Sequence, residues 1–172
     1  DNGVTVATDN SVNVVSQVDL PNLGTTGPAA TFADSNKRGI ANNPEEASFN
    51  NTIVALETSG ELLTRTSQIF YNLTGSNSNP QLLEIQANMA PVMAAHSDNI
   101  HLNSALFNRI DSLHVQRNAL NLTAEEVRLI EVYHQRFVLA GAKLTDSQKA
   151  KIRLLNEEQS TLTNEFSQRL MT

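Results

Sequence analysis

Two copies of one helix-start signature constrain what this chain can fold into more than any other feature. Thr123-Ala124-Glu125-Glu126 and Thr145-Asp146-Ser147-Gln148 each place a threonine three residues ahead of Glu or Gln. In such a capping box the hydroxyl accepts from the third helical amide and the longer side chain returns a bond to the cap, so each threonine marks where a helix begins. Gly141 lies between the boxes and supplies the stop for the first helix. Val127, Ile130, Tyr133 and Phe137 recur at helical spacing after the first box, and Ile152, Leu155, Leu162, Phe166 and Leu170 after the second. A short loop between two such stripes predicts an antiparallel hairpin, in which each buried side chain contributes about 1.5–3 kcal/mol.

The same reading extends upstream. Ile53, Leu56, Leu63, Phe70 and Leu73 fall at helical intervals with Gly60 in their stripe, which predicts one helix from Asn50, a close helix approach at Gly60 and a stop at Gly75. Asn79 before Pro80 fits an N-cap with proline at the first helical position. Leu82, Ile85, Met89, Val92 and His96 follow, so the second helix is expected to end near His96, with a kink at Pro91. A shorter helix over Ser104 to Gln116 would bury Leu106, Ile110 and Leu113. The expected fold is all-α, an antiparallel bundle of about five helices over residues 40–172. Residues 1–39 read as an irregular polar arm, rich in Asn, Asp, Ser, Thr and Gly and broken by Pro21 and Pro28. Val4, Val6, Val12 and Val14 alternate with polar residues in it, a pattern that fits one short hairpin.

Composition narrows the function classes. A chain of 172 residues, 40% apolar, holds one domain with a modest core. Lys and Arg total 12 against 18 Asp and Glu, a net charge of -6, which leaves no positive excess for a phosphate backbone. Nucleic acid is therefore not an expected partner. No run of 18 apolar residues and no basic start with an apolar stretch behind it occurs, so neither a membrane span nor an intact signal peptide is expected. The absence of cysteine is compatible with a reducing cytoplasm and with a periplasm alike; the expected location is the cytoplasm, or a periplasm if a signal has been removed.

The candidate chemistry is thin. His96 and His101 are separated by about 140° around a helix, whereas metal-binding pairs on one helix sit four apart. His96 reads as a core residue on the apolar stripe and His101 as a polar residue just past the helix end. His114 and His134 lack a second ligand nearby in sequence and read as packing or surface residues. The adjacent pairs Glu45 and Glu46, Glu125 and Glu126, and Glu157 and Glu158 point apart on a helix, which suits helix-dipole and solubility roles. No G-x-S-x-G elbow occurs, and Gly24-Thr25-Thr26-Gly27 lacks the Lys-Ser/Thr of a phosphate-binding loop. The N-x-T patterns at Asn50, Asn72 and Asn121 are of the kind an Asn- and Thr-rich chain produces by chance. Phe70, Tyr71, Tyr133 and Phe137 could line a peptide channel, although helical aromatics at these spacings more often fill a core. The expected catalytic, metal and cofactor-binding residues are therefore none.

Longer runs carry a more specific signal. The stretch from Asn42, NNPEEASFNNTIVALETSGELLTRTSQIFYNLTG, then NMAPVMAAH, SDNIHLNSALFNRI, YHQRFVLAGAKL and LNEEQSTLTNEFSQRL resemble the N-terminal helical region of the peptidyl-dipeptidases. These enzymes belong to the thimet-oligopeptidase-like zinc metallopeptidases, together with oligopeptidase A, and the likeness spans roughly Ile40 to Thr172. The arm departs from that pattern, since such enzymes usually place an acidic amphipathic helix there. The family's zinc site is an HExxH helix with a downstream Glu, and no His-Glu-x-x-His occurs in this chain. The resemblance implies a non-catalytic wall of a deep substrate channel that admits short peptides. Its partner would be the catalytic lobe of the same polypeptide, and the zinc would sit in that lobe. The alternative is a stand-alone helical interaction module derived from such an enzyme, without hydrolytic activity.

Overall fold

The computed structural model describes residues 39–170, and the expected N-terminal arm with its hairpin lies outside the described residues except at Gly39. The described chain is helical throughout its regular elements, as the periodicity requires. A π-helical turn, Phe49–Val54, runs directly into a short α-helix, Ala55–Thr58 (α1). Ser48 starts the turn with a capping box of its own: its Oγ accepts from the Asn51 amide at 3.1 Å, and Asn51 Oδ1 accepts from the Ser48 amide at 2.8 Å. The single helix expected from Asn50 is therefore two. The break falls at Ser59 and Gly60, where Gly60 adopts φ +82°. That left-handed backbone favours a residue without a Cβ, which accounts for a glycine there.

Helix α2 spans Glu61–Ser76 and passes through Gly75, so the expected stop is one residue short and Asn77 closes the helix instead. A Cβ at Gly75 would meet nothing within 4 Å, which fits an ordinary helical position. Helix α3, Pro80–His101, starts as expected at Asn79, whose Oδ1 accepts from the Leu82 amide at 2.9 Å. It continues through Pro91 and a full turn beyond His96. Helix α4, Ser104–Gln116, has the predicted limits and buries Leu106, Ile110 and Leu113 as predicted, with Phe107 added. Helix α5, Ala124–Ala140, opens on the predicted capping box and ends at Gly141, φ +104°. Helix α6, Asp146–Leu170, opens on the Thr145 box, with Gln148 Oε1 accepting from the Thr145 amide at 3.0 Å.

The core forms where α4 and α5 meet the π-turn and α1. Ile53, Leu56, Leu106, Ile110, Leu113, Ile130 and Phe137 are its main members, and α6 contributes none among the described residues. The expected hairpin of the last two helices does not form. After Gly141 the chain turns so that α6 lies along α3, and α5 lies along α4. Both pairs run antiparallel: Leu83 and Asp98 of α3 face Gln168 and Asn156 of α6, and Asp111 of α4 and Arg117 just past its end face His134 and Glu131 of α5.

The reason lies in which face of α6 finds partners. Its buried residues are Lys149 and Asn164, and it holds α3 through polar groups. Asn156 Nδ2 donates to Asp98 Oδ1 at 2.7 Å and Gln168 Nε2 to the Leu83 carbonyl at 2.9 Å, while Lys149 Nζ donates to Ser104 Oγ at the start of α4 at 2.7 Å. Of the stripe predicted to be buried, Ile152 is half-buried but the rest points outward, with Leu155 61%, Leu162 57%, Phe166 64% and Leu170 71% exposed. Helix α2 departs only in part, since the predicted Leu63 and Phe70 are half-buried. Leu73 is exposed where a buried position was expected, and it shares an outward stripe with Leu62 and Ile69.

Candidate functional site

The site with the most shape is a groove of about 460 Å³ bounded by α2, α3 and α6. Its floor is made by Ala90 and Ala94 of α3, small enough to leave the space open. Hydroxyls and amides line its sides, among them Ser97, Asn156, Thr163 and Ser167, and Tyr71 of α2 stands over one side. Asp98, which also lines it, accepts the Asn156 amide and is otherwise nearly enclosed. Gln86 Oε1 is buried there with no hydrogen-bond partner among the described residues, an acceptor left available to a donor entering the groove. The volume falls in the usual range for ligand clefts, but the lining is more polar than that of most small-molecule pockets. Such a surface suits an extended hydrogen-bonding ligand or water rather than an apolar one.

Each histidine acquires a definite place. His96 is half-buried on α3. His101 is the last residue of α3 rather than a residue beyond it, and its ring packs against Phe137 with centroids 5.1 Å apart. Its Nδ1 lies 2.9 Å from the Ser97 carbonyl and 3.2 Å from Ser97 Oγ. A serine hydroxyl beside an imidazole at the edge of a groove resembles a nucleophile with its base. The carbonyl decides against it: only a protonated Nδ1 can bond to a carbonyl oxygen, so that nitrogen donates and has no lone pair with which to take the Ser97 proton.

His114 and His134, placed apart by sequence, come together between α4 and α5. Their rings stack at 3.9 Å with an interplanar angle of 7°, and His134 Nε2 lies 2.8 Å from Asp111 Oδ1. Phe107 covers the His134 ring at 5.6 Å. Burial, then the neighbouring His134 and Arg117, push the His114 imidazole below its ordinary value. Beside them Arg117 and Arg128 both bond Glu131, at 3.3 and 3.1 Å, and hold its carboxyl below the usual carboxylate range, Arg128 most strongly. Tyr133 points the other way and donates to Glu57 of α1 at 2.9 Å, and burial, reinforced by Glu57, holds its phenol well above the ordinary range.

The remaining candidates resolve simply. Glu126 caps α5, with Oε2 accepting from the Thr123 amide at 2.8 Å. Glu45, Glu46, Glu125, Glu157 and Glu158 are exposed. Of the aromatics, Phe137 is core, Tyr133 is half-buried, and Tyr71 alone reaches the groove, its ring edge-on to Phe70 at 5.4 Å. Arg109 gave no sign in the sequence, yet its guanidinium ties α4 to the segment before the π-turn. It donates to the carbonyls of Asn43 and Glu45 at 3.1 and 2.8 Å and to Asn51 Oδ1 at 2.8 Å. Among the described residues no group of three or more His, Cys, Asp or Glu is arranged to hold a metal ion, so they do not fit the zinc that the resemblance implies.

No protein-family model matches the chain. Comparison with curated proteins is decisive for kinship: the chain is 48% identical over 132 residues to dipeptidyl carboxypeptidase of Escherichia coli and 45% identical over 132 residues to that of Salmonella typhimurium. The chain is related to dipeptidyl carboxypeptidase. The matched stretch is 77% of this chain but 19% of each relative, so the chain spans about a fifth of the length of the curated relatives it matches. The relationship agrees with the resemblance carried by the runs from Asn42 to Leu170, and the all-α fold agrees with the helical region to which they were likened. No helix among the described residues is long and apolar enough to cross a membrane.

Proposed function

We propose that this chain is the N-terminal, non-catalytic helical portion of a dipeptidyl carboxypeptidase-like zinc peptidase. In this role it forms a wall of the substrate channel and restricts entry to short peptides. The observation that carries the reading is the inverted helix α6, polar toward α3 and the groove and apolar toward solvent. A helix with its leucines outward is stable in water only at a cost, and covering each such side chain recovers about 1.5–3 kcal/mol. Residues found in the relatives and not here supply a cover for the stripes on α2 and α6, while the groove remains on a water-filled channel. The hydroxyls and amides of that groove suit the main chain of a peptide lying along the wall. Zinc, the general base and peptide hydrolysis belong in this reading to the catalytic lobe, and the chain alone does not hydrolyse peptides.

Reconstitution tests the proposal. The Escherichia coli relative, deleted for its 132-residue matched stretch, is assayed for release of dipeptides with and without this chain added. The expected result is activity only when both are present, abolished by a chelator. Stable assembly without activity would sink the channel-wall role, and absence of assembly would sink the reading as a whole.

A further inference from the structure

We propose that the stacked pair His114 and His134 is an acid-released clasp between α4 and α5, controlling how firmly the segment from Asn43 to Thr58 is held. The inference does not depend on the peptidase reading. It starts from geometry: two parallel imidazoles 3.9 Å apart bridge the two helices, and Phe107 closes the far side of His134. One proton on either ring is felt by the other at contact distance, and two protons set like charges face to face in a half-buried place.

The charged groups facing the pair are few and do not cancel. From α4 and its C-terminal end come Asp111, which bonds His134, and Arg117, which donates to the His114 carbonyl. From α5 comes Glu131, already bonded by Arg117 and Arg128. Lys143, after α5, lies 5.9 Å from the centre of the Phe107 ring. Asp111 can offset one imidazolium, and Glu131 is committed to two guanidinium groups. The lowered affinity of His114 for a proton agrees with this accounting.

The consequence reaches beyond the pair because both helices carry an anchor for the preceding segment. Arg109 of α4 holds Asn43, Glu45 and Asn51, and Tyr133 of α5 holds Glu57 of α1. If α4 and α5 part, the two anchors no longer share one frame. The sign of the pH dependence follows from His114. Its folded-state value is depressed, so its contribution to stability is complete above its ordinary value of 6.5 and is lost as pH falls through the folded value below that.

The test is a proton NMR titration of the four histidines in the full chain, combined with amide exchange of residues 43–58 from pH 8 to pH 5, corrected for intrinsic rates. His114 is expected to titrate below 6.5, with exchange of the 43–58 amides rising in the same interval. His114→Phe keeps an aromatic ring in the stack and removes the proton site, so it should flatten the exchange profile. The folding constant of the wild type should fall tenfold, relative to that variant, for each pKa unit of depression. A His114 midpoint at or above 6.5 overturns the proposal, as does a 43–58 segment whose protection is independent of pH. If His114→Phe does not fold, those two wild-type readings decide it.

Discussion

Arg109 shows how much a single residue can settle without any mark in the sequence. Its guanidinium satisfies two backbone carbonyls and the side chain that closes the π-turn cap, all in a segment more than 50 residues earlier in the chain. A lysine cannot reproduce that fork, because its donors radiate from one atom. Arg109→Lys is expected to cost about 1.5–3 kcal/mol in urea unfolding, the usual value of bonds to a charged group. The π-turn amides should lose exchange protection in that variant before those of α5 do. Gly141 makes the opposite case, since its role is legible from the sequence alone. A Cβ there would require a strained φ of +104° and would meet Leu144 Cδ1 at 2.8 Å. Gly141→Ala is expected to cost at least about 1 kcal/mol in the same measurement. His114 and His134 lie between these extremes: each was visible in the sequence, but their stacking depends on the register of α4 against α5, which no local pattern encodes.

Among the elements, α6 is the one whose behaviour departs furthest from its sequence. Periodicity identified an apolar stripe and a start at Thr145 correctly, then assigned the stripe to the interior by default. The polar face carries the contact because Asp98, Asn99 and the Leu83 carbonyl offer partners along α3, and polar pairing does not show in a hydrophobic pattern. Two substitutions separate the faces. Asn156→Leu leaves the enclosed Asp98 carboxylate without its donor and should destabilise by about 1–3 kcal/mol. Leu162→Gln with Phe166→Gln should change stability by less than about 0.5 kcal/mol per site in this chain, since both side chains already face water. The same double variant should lessen self-association in light scattering and weaken reconstitution with the truncated relative. A loss of stability in that variant with Asn156→Leu silent would mean that the helix is turned the other way round.

At the scale of the molecule, the described residues divide into a compact apolar core and a polar helix pair. The core joins the π-turn, α1, α4 and α5, while α3 and α6 hold each other through amide side chains, a carboxylate and an arginine. Interfaces of the second kind open more readily, because water can replace each bond with little loss. Hydrogen exchange should therefore show α6 opening at lower free energy than α4 and α5, with protection rising throughout α6 when the remainder of a relative is supplied. Equal protection of α6 and α5 in the chain alone would contradict that division.

The helix starts at Pro80, Ser104, Ala124 and Asp146, the stop at Gly141, the all-α class and the kinship were determined by the sequence itself. Caps, left-handed glycines and apolar spacing act over a few residues, and 132 matched residues preserve ancestry whatever the fold does with them. The pairing of helices and the outward turn of the apolar stripes were decided only in the tertiary structure. The same is true of the groove between α3 and α6, the Arg109 tie and the stacked histidines. Each depends on which distant polar groups come within hydrogen-bond reach, and a stripe of leucines records only that a surface must be covered, not by what.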